Sequence, residues 1–485
     1  MNSRSKTPLP TVAVVLAAGQ GTRMRSQEPK VLHRAAGRPL LEWVIAAART
    51  AGCRKLLLVV GHQAERVRAS FSGQDLGVEI GWVEQREQKG TGDALARAVA
   101  RLEAPARLLV LSGDVPLVRG ETLEALLEAA GAGWALAVAD LDAPGSLGRV
   151  VADANGRLSR IVEAADATAE ELEIRSVNAG IYVAPSAEIT PRLARLEPAN
   201  AQGELYLTDA FTGAAADATP VELFTLAEAS EALGVNDRSD LARVHRHLLN
   251  RKCERLMTDG VTVLEPERTV IEDPVEIGRD SVIHPGVTLA GYTRIGAGST
   301  VHDNSWIRDS NLGDGVEIGP LTVIEEAEIG ASSRIGPFAR LRPGARIGAG
   351  SRIGNFVEIK KSVVEKGAKV NHLTYVGDAR VGAGANVGAG TITCNYDGFN
   401  KAHTDIGKGA FIGSNTALVA PVKIGDGAII GAGSVVTQDV AADSIGVTRS
   451  QQKEITGGAV RFRKKAAAEK ARAAKKSVKS AKKKA

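Results

Sequence analysis

Two sets of residues have types and spacings that could do chemistry. The first follows an apolar run near the N-terminus and reads Leu16-Ala17-Ala18-Gly19-Gln20-Gly21-Thr22-Arg23-Met24, with Pro29-Lys30 close behind. Gly19 and Gly21 let the backbone approach an anion, amides at a helix start would point at it, and Arg23 and Lys30 supply positive charge. Such a cradle suits a triphosphate, although two glycines after a strand equally describe a tight turn. The second set is spread through the C-terminal half: Arg340-Leu341-Arg342, Asn355 to Lys361, Asn371-His372 to Tyr375, Asn386 to Gly390, and Cys394-Asn395-Tyr396. Arg342 and Lys360 are 18 residues apart and could clamp one phosphate. A neutral imidazole at His372 could take a proton from an amine attacking an acyl thioester. A lone histidine in a repeat is more often a surface residue; the company of Arg342, Lys360, Tyr375 and Asn386 favours the base.

The second set must be positioned by a repeat. From Ile277 to Val436 an aliphatic residue opens a hexad every six residues, with a few five-residue slips and one long interruption, Cys394 to Asp405. A six-residue period fits neither a helix nor a plain strand, but it fits a coil of short strands whose aliphatic residue points inward once per flat side. This is a parallel β-helix. At about 18 residues per turn, Arg342 and Lys360 should stack, and the cation pair and the imidazole are expected on one wall. A scaffold that counts so strictly seldom inserts residues without a use, so the interruption reads as a functional loop.

The first set needs a different scaffold. Residues 11 to about 235 alternate apolar runs with amphipathic stretches: strands at Val12–Leu16, Lys55–Val60 and Arg107–Leu111, helices at Leu40–Thr50 and Gly92–Leu102. That rhythm predicts a mostly parallel sheet covered by helices. Asp237 to Thr258 reads as a connecting helix. The formal charge is +5, yet the residues from Arg461 onward carry twelve Lys/Arg against Glu469 alone, so the body is mildly acidic. The Lys/Ala tail reads as solvated, either disordered or a fluctuating helix, and nucleic acid is not an expected partner. Cys53, Cys253 and Cys394 are odd in number and far apart, giving no disulfide framework and no CxxC metal motif. With neither a leader-like nor a membrane-spanning apolar run, a cytoplasmic protein is expected.

The N-terminal pattern differs from both the dinucleotide and the Walker glycine motifs and resembles that of sugar-nucleotide pyrophosphorylases. Gln85 with Gly90-Thr91, Ser112-Gly113-Asp114, Gly148-Arg149-Val150, Ile161-Val162-Glu163, Asn178-Ala179-Gly180 and Gly234-Val235-Asn236 follow in that family's order. Combined with the C-terminal segments, the chain resembles the bacterial bifunctional N-acetylglucosamine-1-phosphate uridyltransferase/glucosamine-1-phosphate acetyltransferases over residues 12 to 455.

The resemblance implies an α/β architecture, a Rossmann-like nucleotidyltransferase domain (1–238), a linker helix (239–259), a left-handed β-helix (260–458) and a basic tail (459–485). It implies that acetyl-CoA acetylates glucosamine 1-phosphate, and that UTP then converts the product to the UDP-sugar and pyrophosphate. Leu16, Ala17, Ala18, Gly19, Lys30, Gln85, Gly90, Thr91, Ser112, Gly113, Asp114, Gly148, Glu163, Asn178 and Asn236 would contact nucleotide or sugar. Asp114 and Asn236 would hold Mg²⁺, and Arg23 and Lys30 would stabilise the transferring phosphate. In the β-helix His372 would be the general base, Arg342, Lys360, Tyr375 and Asn386 would hold the sugar phosphate, and Ala389, Asn395, Tyr396, Ser414, Ala432 and Arg449 would line the acetyl-CoA channel. A homotrimer with acetyl-transfer sites between subunits is implied. Lys89 departs from the family, standing beside Gly90 where an apolar residue is expected. Two other readings remain open at this point: a single-activity pyrophosphorylase with a structural or regulatory β-helix, and a trimeric scaffold that presents the basic tail.

Overall fold

Strand β1 (Thr11–Ala17) is buried along almost its whole length because its alternate side chains enter two different cores. Ala13 and Val15 pack with Leu41, Val44 and Leu123 on one face, while Val12 and Val14 pack with Leu95, Ala98 and Phe211 on the other. Burying both faces explains the unbroken apolar run, as parallel sheets require. The computed structural model describes residues 9–481, with side chains to 475. The N-terminal extension before Leu9 and the last four residues of the tail lie outside the described residues.

Eight further strands complete the first sheet: β2 (Lys55–Val60), β3 (Glu79–Glu84), β4 (Arg107–Ser112), β5 (Trp134–Asp140), β6 (Arg149–Ala152), β7 (Leu158–Val162), β8 (Ser176–Pro185) and β9 (Val221–Thr225). Their order is β9-β5-β8-β4-β1-β2-β3, with β6 paired to β8 and β7 at the side. β1 runs parallel to both β2 and β4, and β3 parallel to β2. The expectation of a mostly parallel sheet holds, with β8 antiparallel to β4, β5 and β6 and with β6 and β7 antiparallel to each other. The helices at Leu40–Thr50 and Thr91–Val99 lie where the amphipathic stretches predict, the second ending three residues early.

Asp237 caps the connecting helix, Arg238–Thr258, by accepting from the Asp240 N–H at 2.9 Å. Its apolar face, Val244, Leu248 and Leu249, packs on Leu40, Leu117 and Val235. Near its far end the buried Lys252 donates to the carbonyls of Asp273 (2.7 Å) and Val275 (2.5 Å), fastening the helix to the first turn of the coil.

The coil is a parallel β-helix, as its hexads predict, and left-handed, as the family resemblance implies. Every hexad-opening residue from Ile283 to Val436 is at most 4% exposed, and each such burial contributes roughly 1.5–3 kcal/mol. The molecule divides into two compact units after Ser332. The first unit holds the starting rungs, whose first wall stacks Thr262–Val263, Val282–Ile283, Thr300–Val301 and Glu317–Ile318 in parallel. The second unit holds three walls of seven, six and five strands running from Arg334–Ile335 to Ile445–Gly446. Buried Ser and Thr hydroxyls, absent from the sequence reading, recur at the strand starts in each unit, and many bond to a nearby backbone carbonyl: Ser281 to Gly296 (3.0 Å), Ser333 to Gly348 (3.0 Å), Thr391 to Gly388 (2.8 Å). These bonds answer the polar demand that a coil of two-residue strands leaves at its corners. The tail forms a helix, Gly458–Ala481, exposed along its described side chains.

Candidate active sites

The first site gathers at the C-terminal ends of β1 to β4, in a cleft of about 830 Å³. Leu16, Ala17, Ala18, Gly19, Arg23, Lys30, Gln85, Gly90, Thr91, Ser112, Asp114 and Asn236 all line it. Gly21 takes a left-handed φ of 63°, and a Cβ there would lie 2.8 Å from the Lys30 Cβ, so this glycine lets Lys30 fold across the loop. The loop leads into a three-residue 3₁₀ turn, Thr22–Met24, in place of the helix start expected from the sequence. Gly113 serves packing: its N–H donates to the Leu16 carbonyl (2.9 Å), and a Cβ would meet Ala17 at 3.1 Å.

Four side chains meet across this cleft in two pairs. Lys30 Nζ bonds the Asp114 carboxylate, and Arg23 Nη2 donates to Asn236 Oδ1 at 2.8 Å. The backbone joins the pairs, because the Val235 N–H donates to the Asp114 carbonyl at 2.8 Å. Two oxygen ligands on neighbouring loops suit Mg²⁺, which keeps several waters and takes few protein ligands. Each oxygen now faces a cation, so the donor set fits.

Gln85 is 2% exposed, and its Nε2 donates to the Gly90 carbonyl (3.0 Å) and to Asp93 Oδ2 (2.8 Å). Its amide orientation is thereby fixed, with Oε1 left for a ligand. Lys89 does not crowd this wall. Its side chain turns out to Glu87 at 2.8 Å, and its carbonyl accepts from the Leu205 N–H. Gln88, which the sequence reading missed, donates from Nε2 to the Ala18 carbonyl at 2.8 Å and ties the two loops.

Gly148, Glu163 and Asn178 form a second cluster. The Asn178 N–H donates to the Gly148 carbonyl at 2.9 Å, and a Cβ on Gly148 would sit 3.2 Å from Glu163 Oε2. Glu163 accepts from Thr208 Oγ1 at 3.2 Å, and burial, reinforced by Asp209 and Asp166, raises its pKa. Ser112 links the two clusters through a 3.5 Å contact with the Gly180 carbonyl.

The second site is written in the register of the coil. Ile353 pairs Val370, Val370 pairs Val387, Val387 pairs Ile412, and Ile412 pairs Ile430. Two residues beyond each lie Asn355, His372, Ala389, Ser414 and Ala432, which therefore form one vertical column. His372 Nδ1 lies 2.7 Å from Asn355 Oδ1, and the Arg449 guanidinium caps the column by donating to the Ala432 carbonyl at 2.8 Å. Asn386 starts the strand that leads to Ala389 on this wall.

Arg342 and Lys360 stack as expected, since Leu341 pairs Ile359. They belong to the next wall round the coil, together with Tyr375, whose hydroxyl overhangs Gly377 so closely that a Cβ there would lie at 2.3 Å. The single-wall expectation is therefore corrected. His372 ends a first-wall strand, one residue before the corner at Leu373 (φ 50°), whereas Lys360 ends a second-wall strand and Arg342 directly follows one. Lys401, from the inserted loop, was missed by the sequence reading. Its ammonium, with Arg342 beyond it, pushes the Lys360 pKa down. Arg342 also pairs with Glu358 at 2.9 Å. Within the same loop Asn395 Nδ2 donates to Asp378 Oδ2 at 2.5 Å, and Tyr396 pairs with Lys401 across a bridge.

Residues 13–201 match the family model described as a MobA-like NTP transferase domain, and residues 326–361 and 403–438 match the bacterial transferase hexapeptide (six repeats). The bifunctional protein GlmU of Marinobacter nauticus is 44% identical over 92% of this chain and 98% of its own; that of Stutzerimonas stutzeri is 47% identical over 92% and 97%. The chain belongs to the bifunctional GlmU family. GlmU of Anaeromyxobacter dehalogenans is 49% identical over 86% of each chain. As a member of the GlmU family, the chain is a bifunctional transferase: it acetylates glucosamine 1-phosphate and transfers uridylyl to N-acetylglucosamine 1-phosphate. A single-activity pyrophosphorylase and a mere scaffold are both set aside.

Proposed function

We propose that residues 1–238 carry out uridylyl transfer and residues 260–458 acetyl transfer, with 239–259 as linker and 459–485 as a basic tail. In the first reaction the sugar phosphate attacks the α-phosphorus of UTP in line and pyrophosphate leaves. Bound between Asp114 and Asn236, Mg²⁺ would supply charge neutralisation on the triphosphate. Lys30 and Arg23, turned from their present partners, follow the phosphate charge, and Gln85 Oε1 reads the base. Glu163, Asn178 and Gly148 hold the sugar.

In the second reaction, Asn355 accepts from the His372 Nδ1–H, which leaves Nε2 to take the proton of the attacking amine. Arg342, Lys360 and Lys401 hold the sugar phosphate beside Tyr375 and Asn386. Acetyl-CoA runs along Ala389, Ser414 and Ala432 towards Arg449, flanked by Asn395 and Tyr396. The observation that carries this reading is the column that sets the thioester path directly over the imidazole. Because the cations and the imidazole stand on different walls, the site is completed by a neighbouring chain, as a homotrimer would provide. The cytoplasm is the compartment proposed; none of the described helices is long and apolar enough to cross a membrane.

The test supplies purified protein with glucosamine 1-phosphate, acetyl-CoA, UTP and Mg²⁺, and follows free thiol and pyrophosphate separately. Thiol release should need no UTP, and pyrophosphate release should need N-acetylglucosamine 1-phosphate. Pyrophosphate release driven equally well by unacetylated glucosamine 1-phosphate would refute the substrate assignment.

A further inference from the structure

The starting rungs of the coil carry a cluster that neither reaction uses. On the first wall Ile283 pairs Val301, and Val301 pairs Ile318, so the next residues, His284, His302 and Gly319, occupy one station on three successive rungs. The two imidazoles lie one over the other with ring centroids 4.5 Å apart. Asp303 follows His302 directly. One ligand atom from each of His284, His302 and Asp303 falls within 4.8 Å of the others, and all three residues are half-buried. Gly319, at the third level, carries no side chain.

The side chains of this cluster stand apart from one another. His284 Nδ1 is 3.4 Å from Asp303 Oδ2, and His302 Nε2 is 3.9 Å from Glu317 Oε1, both longer than an ordinary hydrogen bond. The backbone nevertheless holds the pair still: the His284 N–H donates to the Val301 carbonyl and the His302 N–H to the Ile318 carbonyl, each at 2.9 Å. Two imidazoles stacked on rigid rungs with a carboxylate beside them place lone pairs in one small volume. In a tetrahedral site with metal–nitrogen bonds of about 2.0–2.1 Å, ligand atoms stand about 3.3 Å apart. Binding an ion therefore requires the side chains to rotate inward from their present separation of up to 4.8 Å.

We propose that His284, His302 and Asp303 form a binding site for a divalent transition ion of the Zn²⁺ class, tying two rungs of the coil together. Two nitrogens and one carboxylate suit Zn²⁺ or Co²⁺, whereas Mg²⁺ and Ca²⁺ prefer oxygen ligands alone. Water completes the coordination on the solvent side. The site lies in the coil wall and is distinct from the Asp114 and Asn236 pair.

Full-length protein is stripped with chelator, dialysed free of Mg²⁺ and titrated with Co²⁺ or Zn²⁺. The expected result is one tight ion per chain, visible d–d absorption with Co²⁺, and a thermal midpoint raised by several degrees with Zn²⁺. His302→Gln and His284→Asn should each lose the absorption and the thermal shift while keeping pyrophosphate and thiol release, which shows that they fold. Asp303→Asn should weaken binding on the order of tenfold. Binding that survives in His302→Gln at wild-type strength, or wild-type protein that takes up no more Zn²⁺ than Mg²⁺, overturns the proposal.

Discussion

The hydrogen bond from His372 to Asn355 makes a sharp prediction for Asn355→Ala. With Oδ1 accepting at 2.7 Å, the ring proton sits on Nδ1 and Nε2 is the base. When Nε2 takes a proton from the amine, the ring becomes an imidazolium and the same bond becomes charge-assisted, a gain present in the transition state and absent from the ground state. Hydrogen bonds to charged groups contribute about 1.5–3 kcal/mol. The bond lies at the exposed surface, so the lower end applies, and kcat for acetyl transfer should fall on the order of tenfold. The assay is thiol release at saturating acetyl-CoA and glucosamine 1-phosphate, with pyrophosphate release from the same preparation as the control. KM should change little, because the bond does not touch substrate in the ground state. Asn355→Asp, which keeps the acceptor, should recover most of the rate. If Asn355→Ala left kcat within twofold of wild type, the orientation argument for His372 would be refuted.

Other predictions follow from the same geometry. Lys401→Ala removes one of three converging cations and should raise KM for glucosamine 1-phosphate roughly 10-fold or more, the loss of one charged hydrogen bond, while leaving pyrophosphate release intact. Gly90 has φ 104°, and a Cβ there would lie 2.5 Å from the Leu205 carbonyl oxygen; Gly90→Ala should cost about 1–3 kcal/mol in backbone strain, seen as a lower unfolding midpoint together with weaker UTP binding. Chelating Mg²⁺ should abolish pyrophosphate release and spare thiol release, and restoring Mg²⁺ should recover it.

Much of this architecture is legible from the chain because a β-helix states its period openly. From Ile283 onward the aliphatic residue that opens each hexad is the buried one, and the 18-residue interval between Arg342 and Lys360 gives their stacking directly. The cleft at the ends of β1 to β4 was equally readable, since twelve of the residues named for it line one cavity. Three features escaped. The wall carrying His372 was misjudged because the imidazole stands two residues past its buried valine while the cations stand one past their own aliphatic residue, and a corner intervenes. Lys401 lies in the insertion, where no period reports position. The links made by Gln88 and by buried hydroxyls such as Ser281, Ser333 and Thr391 depend on backbone carbonyls, which leave no mark in the pattern of side chains.

On the proposed reading, two chemically independent sites share this chain, an independence that mutation can probe. It is tested most directly by assaying thiol and pyrophosphate release in parallel for His372→Ala and Asp114→Ala. The first variant should lose thiol release alone and the second pyrophosphate release alone. Loss of both signals from either substitution, in protein that remains folded, would contradict it.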